Sequence, residues 1–303
     1  MPIACRLGTD CWLMNYPDVS AAAGAIDPVC GPRTYAGHKG TDIAVRDHTA
    51  MRRGVEILAA ASGTVLRARD NVIDRAVLTE TDRQRVGNKE CGNGILLDHS
   101  GGWETQYCHL RRGSIAVKPG QRVKRGQKLG LVGLSGLTAF PHIHITIRRD
   151  RQVMAPLTAR KRSDPCGKPM RSLWLAPAMA QYRQFDLYAA GMADGAVSKA
   201  ELNLDAGGVI TLPRTAPALV LWAAVFGVKV GDRLKLEIIG PNGANVHRTE
   251  QTIKRRQARH IIYSGKKRRT AQWAAGRYQG KVTLQRGGPQ PMRQTRLVQI
   301  DVR

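Results

Sequence analysis

The chain has 303 residues, 42% of them hydrophobic, and a formal net charge of +25 from 48 Lys and Arg against 23 Asp and Glu. That length and apolar content exclude a disordered basic tail and point to two domains, each able to bury a core. The charge narrows the partners to nucleic acid, an anionic membrane or an acidic wall polymer, with a solvated basic face and no specific ligand as the alternative.

The six cysteines, Cys5, Cys11, Cys30, Cys91, Cys108 and Cys166, form no Cys-x-x-Cys pair. A thiolate zinc site is therefore not expected. An even count without metal spacing points to disulfides and an oxidising compartment, buried free thiols being the alternative. Met1 to Trp12 carries Arg6 and Asp10 and no apolar h-region, so no signal peptide is read there. An exported protein would have lost its signal. The longest apolar run, Ala218 to Val228, is too short for a bilayer-crossing helix, and no membrane span is expected.

Residues 1 to about 30 are punctuated by Asp18, Gly24, Asp27, Pro28 and Gly31 and read as an irregular extension wrapped on the first domain. Gly37-His38-Lys39-Gly40-Thr41-Asp42 follows, a histidine and a carboxylate four apart across a glycine turn. Such a pair can converge on one ion or remain two exposed polar residues of a turn. Val55 to Leu66 reads as strand–turn–strand, and Arg69 to Cys91 as a charged surface insertion. Ile95 to His99 and Trp103 to Leu110, joined at Ser100-Gly101-Gly102, form a hairpin whose register favours a Cys91–Cys108 bridge. Short apolar pieces between glycine turns from Val117 to Gly133 suggest small strands, making this half all-β.

Phe140-Pro-His-Ile-His-Ile-Thr146 is the segment on which the rest converges. Alternation in a strand turns His142 and His144 to one face and Ile143, Ile145 and Ile147 to the core. Two imidazoles so placed can act on one metal, both as ligands or one as ligand and one as acid/base. His48, His99, His247 and His260 read as structural or exposed.

After Asp164-Pro165-Cys166-Gly167 cysteine disappears, and residues 168–303 carry 23 basic against 8 acidic residues. Alternating strands at 234–238, 280–284 and 296–302 point to an immunoglobulin-like β-sandwich. The expected domains are thus 1–167 and 168–303. Lys254-Arg255-Arg256 and Lys266-Lys267-Arg268-Arg269 are candidate contacts for an anionic envelope polymer, or solvated hairpin charge. Specific nucleic-acid recognition is not expected, since only 5% of residues are aromatic and no nucleic-acid motif is present.

Taken together, His38 with Asp42, Tyr107-Cys108-His109-Leu110, the glycine-punctuated run from Pro119 to Gly133, and Pro141-His142-Ile143-His144 resemble the lysostaphin-like (LytM-type) zinc peptidases of peptidoglycan. The resemblance covers roughly Gly37 to Ile147. It implies an antiparallel β-sheet groove domain, a periplasmic or secreted endopeptidase, and peptidoglycan peptides as substrate. It also implies Zn2+ held by His38, Asp42 and His144, with His109 and His142 as the unliganded catalytic pair and Phe140 and Tyr107 as groove candidates. Three protein ligands leave a fourth tetrahedral position for water, whose pKa zinc lowers towards ~7. A non-catalytic wall-binding or hydrolase-regulating module is the alternative, though all five site residues are present. Phe140 and the Arg69 to Cys91 insertion depart from the family pattern and bear on specificity.

Overall fold

The computed structural model describes residues 1–20, 24–167, 171–175, 177, 181–289 and 291–303. The chain divides into two compact units, Met1–Gln184 and Phe185–Arg303. The composition shift at Gly167 lies earlier. Past it, Leu173 N–H donates to the Pro156 carbonyl and the Tyr182 hydroxyl to the Asp27 carboxylate, so these residues stay with the first unit.

In the first unit one antiparallel sheet runs β1 (Cys11–Asn15), β2 (Thr41–Val45), β9 (His142–Arg149), β6 (Trp103–Leu110), β5 (Asn93–Asp98), β4 (Gly63–Arg69) and β7 (Arg122–Val123). β10 (Gln152–Ala155) and β11 (Arg160–Lys161) extend it beside β9, and β3 (Glu56–Leu58) pairs separately with β8 (Lys128–Leu131). The reason for this order is visible in β9. Its register sets Ile143 opposite Ile43 and Ile145 opposite Tyr107, and all four join one core with Leu97 and Leu110. Each such buried side chain contributes about 1.5–3 kcal/mol. The opposite face is left to His142, His144 and Thr146.

Two short helices interrupt the expected all-β half: α1 (His48–Arg53), capped by Asp47, and α2 (Glu80–Val86) inside the insertion. Thr79 and Asp82 form a reciprocal capping box at the start of α2. The insertion is pinned to the sheet by the Asp74 carboxylate, which accepts from the Leu134 and Arg112 amides at 2.6 and 2.9 Å.

In the second unit, β12 (Asp186–Ala193), β14 (Ala218–Val228) and β17 (Gln257–Lys267) form one sheet. β13 (Thr211–Leu212), β19 (Met292–Val302), β18 (Gly276–Arg286), β15 (Arg233–Ile239) and β16 (Asn245–Thr252) form another. Leu219, Leu221 and Val225 of β14 share a core with Leu236 of β15, Leu284 of β18 and Ile300 of β19. The apolar run at 218–228 is thus a central strand buried along its whole length. A short helix, α3 (Lys199–Leu204), completes the unit. Among the described residues no helix is long and apolar enough to cross a membrane.

All six cysteines are paired, as Cys5–Cys11, Cys30–Cys166 and Cys91–Cys108. The hairpin reading of the last pair holds, and the free-thiol alternative falls. In a chain-entropy account, the bridge spanning 136 residues restrains the unfolded chain by about 5 kcal/mol and the one spanning 6 by about 2. Replacing Cys30 and Cys166 by Ala should therefore lower stability more in urea titration than replacing Cys5 and Cys11. Equal losses would contradict that ordering.

Candidate metal centre

β2 and β9 pair so that Asp42 stands opposite His144, and Ala44 opposite His142. Directly opposed residues in an antiparallel pair share a face, with Cβ atoms about 4.5–5.5 Å apart. Asp42, His142 and His144 therefore meet on the face away from the isoleucines, and the small Ala44 leaves room for an imidazole. His38 approaches from the turn before β2. Its Nε2 lies 3.1 Å from Asp42 Oδ1 and 3.1 Å from His144 Nδ1, and His144 Nδ1 lies 2.8 Å from Asp42 Oδ1. These three atoms form a nearly equilateral triangle. A tetrahedral ion with bonds of about 2.0–2.1 Å has ligand–ligand edges of about 3.4 Å, so a small adjustment admits it.

The hydrogen bonds behind the triangle favour that use. His38 donates its Nδ1–H to the Tyr16 carbonyl at 2.7 Å, which turns Nε2 to the cluster. The Thr146 hydroxyl lies 3.0 Å from His144 Nε2 and can take that proton, freeing Nδ1. Asn15 Nδ2 donates to Asp42 Oδ2 at 2.9 Å. His38 and Asp42 are each 2% exposed. Burial alone would push Asp42 up. Contact with the His38, His142 and His144 imidazoles outweighs it and holds the carboxyl well below its usual range. Burial likewise disfavours a charged His38, yet the Asp42 carboxylate and the Tyr16 carbonyl raise its pKa. The pocket thus favours positive charge at the Nε2 position. A dication supplies it, and the one-carboxylate, two-imidazole donor set suits zinc. A second cluster, Cys5, Asp10 and Cys11, is closed by the Cys5–Cys11 disulfide and offers no thiolate.

The other two imidazoles stand beside the triangle. The His109 and His142 rings are 4.7 Å apart, and His109 is 6.0 Å from His144. His142 donates Nδ1–H to the Phe140 carbonyl at 2.7 Å, with Thr138 Oγ1 at 3.1 Å, and its Nε2 lies 3.6 Å from Asp42 Oδ1. His109 donates Nδ1–H to the Ser135 carbonyl at 2.8 Å. Each bond fixes a tautomer with a basic Nε2. Burial holds His109 well below the ordinary histidine range, and the neighbouring His142 and His144 add to the effect. Burial also lowers His142, against the pull of Asp42. Both are therefore neutral at neutral pH.

His109 reaches this face against the strand's alternation, which would send it to the core with Tyr107. The β5–β6 register shifts between Asn93 and Ile95, opposite Tyr107 to Leu110, and His109 adopts φ 65°. A bulge with a left-handed residue re-aims the ring, at a backbone cost of order 1 kcal/mol.

Tyr107 itself is fully buried in the core, its hydroxyl accepting from the Ala60 amide. It is not a groove residue, because alternation turns it away from His144. Phe140 is 5% exposed and reaches the site through its carbonyl. Three contributors carry no motif in the sequence: Asn15, Thr146, and Tyr35, whose ring stacks on His38 at 4.4 Å while half exposed. Thr146 was detectable, lying two residues beyond His144 on the same strand face.

Residues 36–156 match the profile of peptidase family M23. This part of the chain belongs to peptidase family M23. The chain is 36% identical over 96 residues to the peptidoglycan DD-endopeptidase ShyB of Vibrio cholerae, covering 31% of this chain and 21% of that one. It is 29% identical over 155 residues to ShyA of the same organism, covering 51% and 29%. The chain therefore spans less than a third of the length of these two relatives. The catalytic domain of lysostaphin from Staphylococcus simulans aligns at 22% identity, covering 47% of this chain and 90% of that one, with a TM-score of 0.30.

In zinc titration followed by elemental analysis, the protein should bind one ion per chain. Asp42→Ala and His38→Ala should each remove that stoichiometric binding. Retention of a full equivalent by both variants would contradict the triangle as the binding site.

Proposed function

We propose that the first unit is a zinc endopeptidase that cuts peptide cross-links of bacterial peptidoglycan. The observation that carries this reading is the convergence of His38 Nε2, Asp42 Oδ1 and His144 Nδ1 beside two neutral imidazoles, each with Nδ1–H committed to a backbone carbonyl. M23 membership and the DD-endopeptidase names of its relatives supply the substrate class.

His38, Asp42 and His144 would hold the ion. Zinc bound there supplies Lewis acidity, lowering the pKa of water and polarising a carbonyl. The chain's own contribution is proton handling. Nε2 of His109 or His142, left unprotonated because burial disfavours the charged ring, takes a proton from the attacking water and returns it to the leaving amine. Once protonated, an imidazole can also donate to the charge developing on the carbonyl oxygen. Ser135, Thr138 and Phe140 hold the two rings in the orientation this requires.

Three disulfides fit a periplasmic or secreted protein, since reducing compartments do not keep such bridges. We read the second unit as an immunoglobulin-like sandwich that binds the wall or a partner. Its basic segments at 254–256 and 266–269 would meet an anionic polymer.

Purified sacculi should release muropeptides on digestion, and a chelator should stop it. His109→Ala and His142→Ala should each lower kcat by about 10²-fold or more while keeping one zinc per chain. Undiminished turnover in both variants would sink the reading. Reversing the charges of Lys266, Lys267, Arg268 and Arg269 should weaken pull-down on purified walls at low salt and leave little difference at high salt. Identical binding across salt would remove the polymer-binding role.

A further inference from the structure

We infer that Asn15 is a positioning residue of the metal centre and that a bulge in β1 places it there. This rests on the zinc reading above. β1 pairs with β2 as Cys11 to Val45, Trp12 to Ala44 and Leu13 to Ile43. Continuing by one residue would set Met14 opposite Asp42. Instead the register shifts after Leu13, and Asn15 takes that place. A bulge adds one residue to one strand and re-aims the side chains beyond it. The consequence is chemical, for a carboxamide replaces a thioether opposite the buried carboxylate.

The result divides the two oxygens of Asp42. Oδ2 accepts from Asn15 Nδ2 at 2.9 Å, and Asn15 is 4% exposed. Oδ1 faces His38 Nε2 and His144 Nδ1 at 3.1 and 2.8 Å. A carboxylate tied at one oxygen presents the other in a fixed direction, so Asp42 would offer an ion Oδ1 and keep Oδ2 for Asn15. Without the donor, Oδ2 would be a buried acceptor lacking its partner, and the group would turn to find one.

The bulge is itself held in place. The buried Arg33 guanidinium donates to the Met14 carbonyl from Nη2 at 3.0 Å and to the Leu13 carbonyl. The carbonyl of Tyr16, the residue after Asn15, accepts the His38 Nδ1–H. One four-residue segment thus orients two of the three ligands, Asp42 through a side chain and His38 through the backbone. Groups that orient ligands in this way typically change metal affinity 10–100-fold when removed.

The test measures zinc dissociation constants on the full chain by competition with a chromogenic chelator, alongside the melting temperature of metal-free protein. Asn15→Leu keeps the volume and removes the donor. It should weaken zinc about 10–100-fold, still saturating at one per chain, while the metal-free protein melts at a lower temperature but still cooperatively. Asn15→Ser, which retains a donor, should bind zinc more tightly than Asn15→Ala. A leucine variant within twofold of the unmodified protein, or an affinity loss matched by a collapse of metal-free melting, would overturn the inference. Should the leucine variant not fold, the serine–alanine pair decides, equal affinities overturning it. An unmodified chain that takes up no zinc would overturn the metal reading and this inference with it. Zinc bound normally by every variant overturns this inference alone.

Discussion

Asp42 carries a carboxylate into the interior of the first unit, and a buried anion persists only where donors and positive charge surround it. The neighbouring structure can be read as that surround. Asn15 takes one oxygen. His38, His144 and, at longer range, His142 face the other. Removing the carboxylate would leave a protonated His38 without its counter-charge, and removing the imidazoles would leave an unpaired buried anion. A positive charge at this point, a protonated His38 or a bound cation, balances the carboxylate, and the three facing atoms give a cation a place to sit.

Two irregularities in otherwise regular strands bring the remaining parts to the same face. The bulge in β1 sets Asn15 opposite Asp42, and the bulge opposite Gly94 turns His109 towards His142. Each is braced from outside the sheet. Arg33 holds the first through backbone carbonyls, while the Cys91–Cys108 bridge and the Ser135 carbonyl flank the second. The insertion belongs to this bracing. Asp74 fastens it to Leu134, next to Ser135, and the Val77 amide donates to the Thr138 carbonyl. A segment that reads as a surface loop thereby supports the loop that orients both free imidazoles.

How much of this was legible in the sequence follows from the range of each interaction. Strand alternation is local, so the shared face of His142 and His144 and the core placement of the isoleucines could be read directly. The His38–Asp42 pair is likewise close in sequence. His109 was singled out by its motif, but its orientation was not readable, because plain alternation sends it to the core. The same rule, applied to Tyr107, would have placed that ring in the interior. Asn15 lies 27 residues from Asp42 and carries no motif, so only the paired strands disclose it. In the second unit, the strands expected at 234–238, 280–284 and 296–302 lie within β15, β18 and β19. The division between units falls at Gln184, beyond the composition change, because contacts such as Tyr182 with Asp27 are long-range.

Three atoms from two strands and a turn are proposed to form one cation site. Anomalous diffraction at the zinc edge, on crystals grown with zinc, tests it most directly. One strong peak should appear, bonded to His38 Nε2, Asp42 Oδ1 and His144 Nδ1 at about 2.0–2.1 Å. A peak held by other residues, or none at this cluster in zinc-saturated crystals, would contradict it.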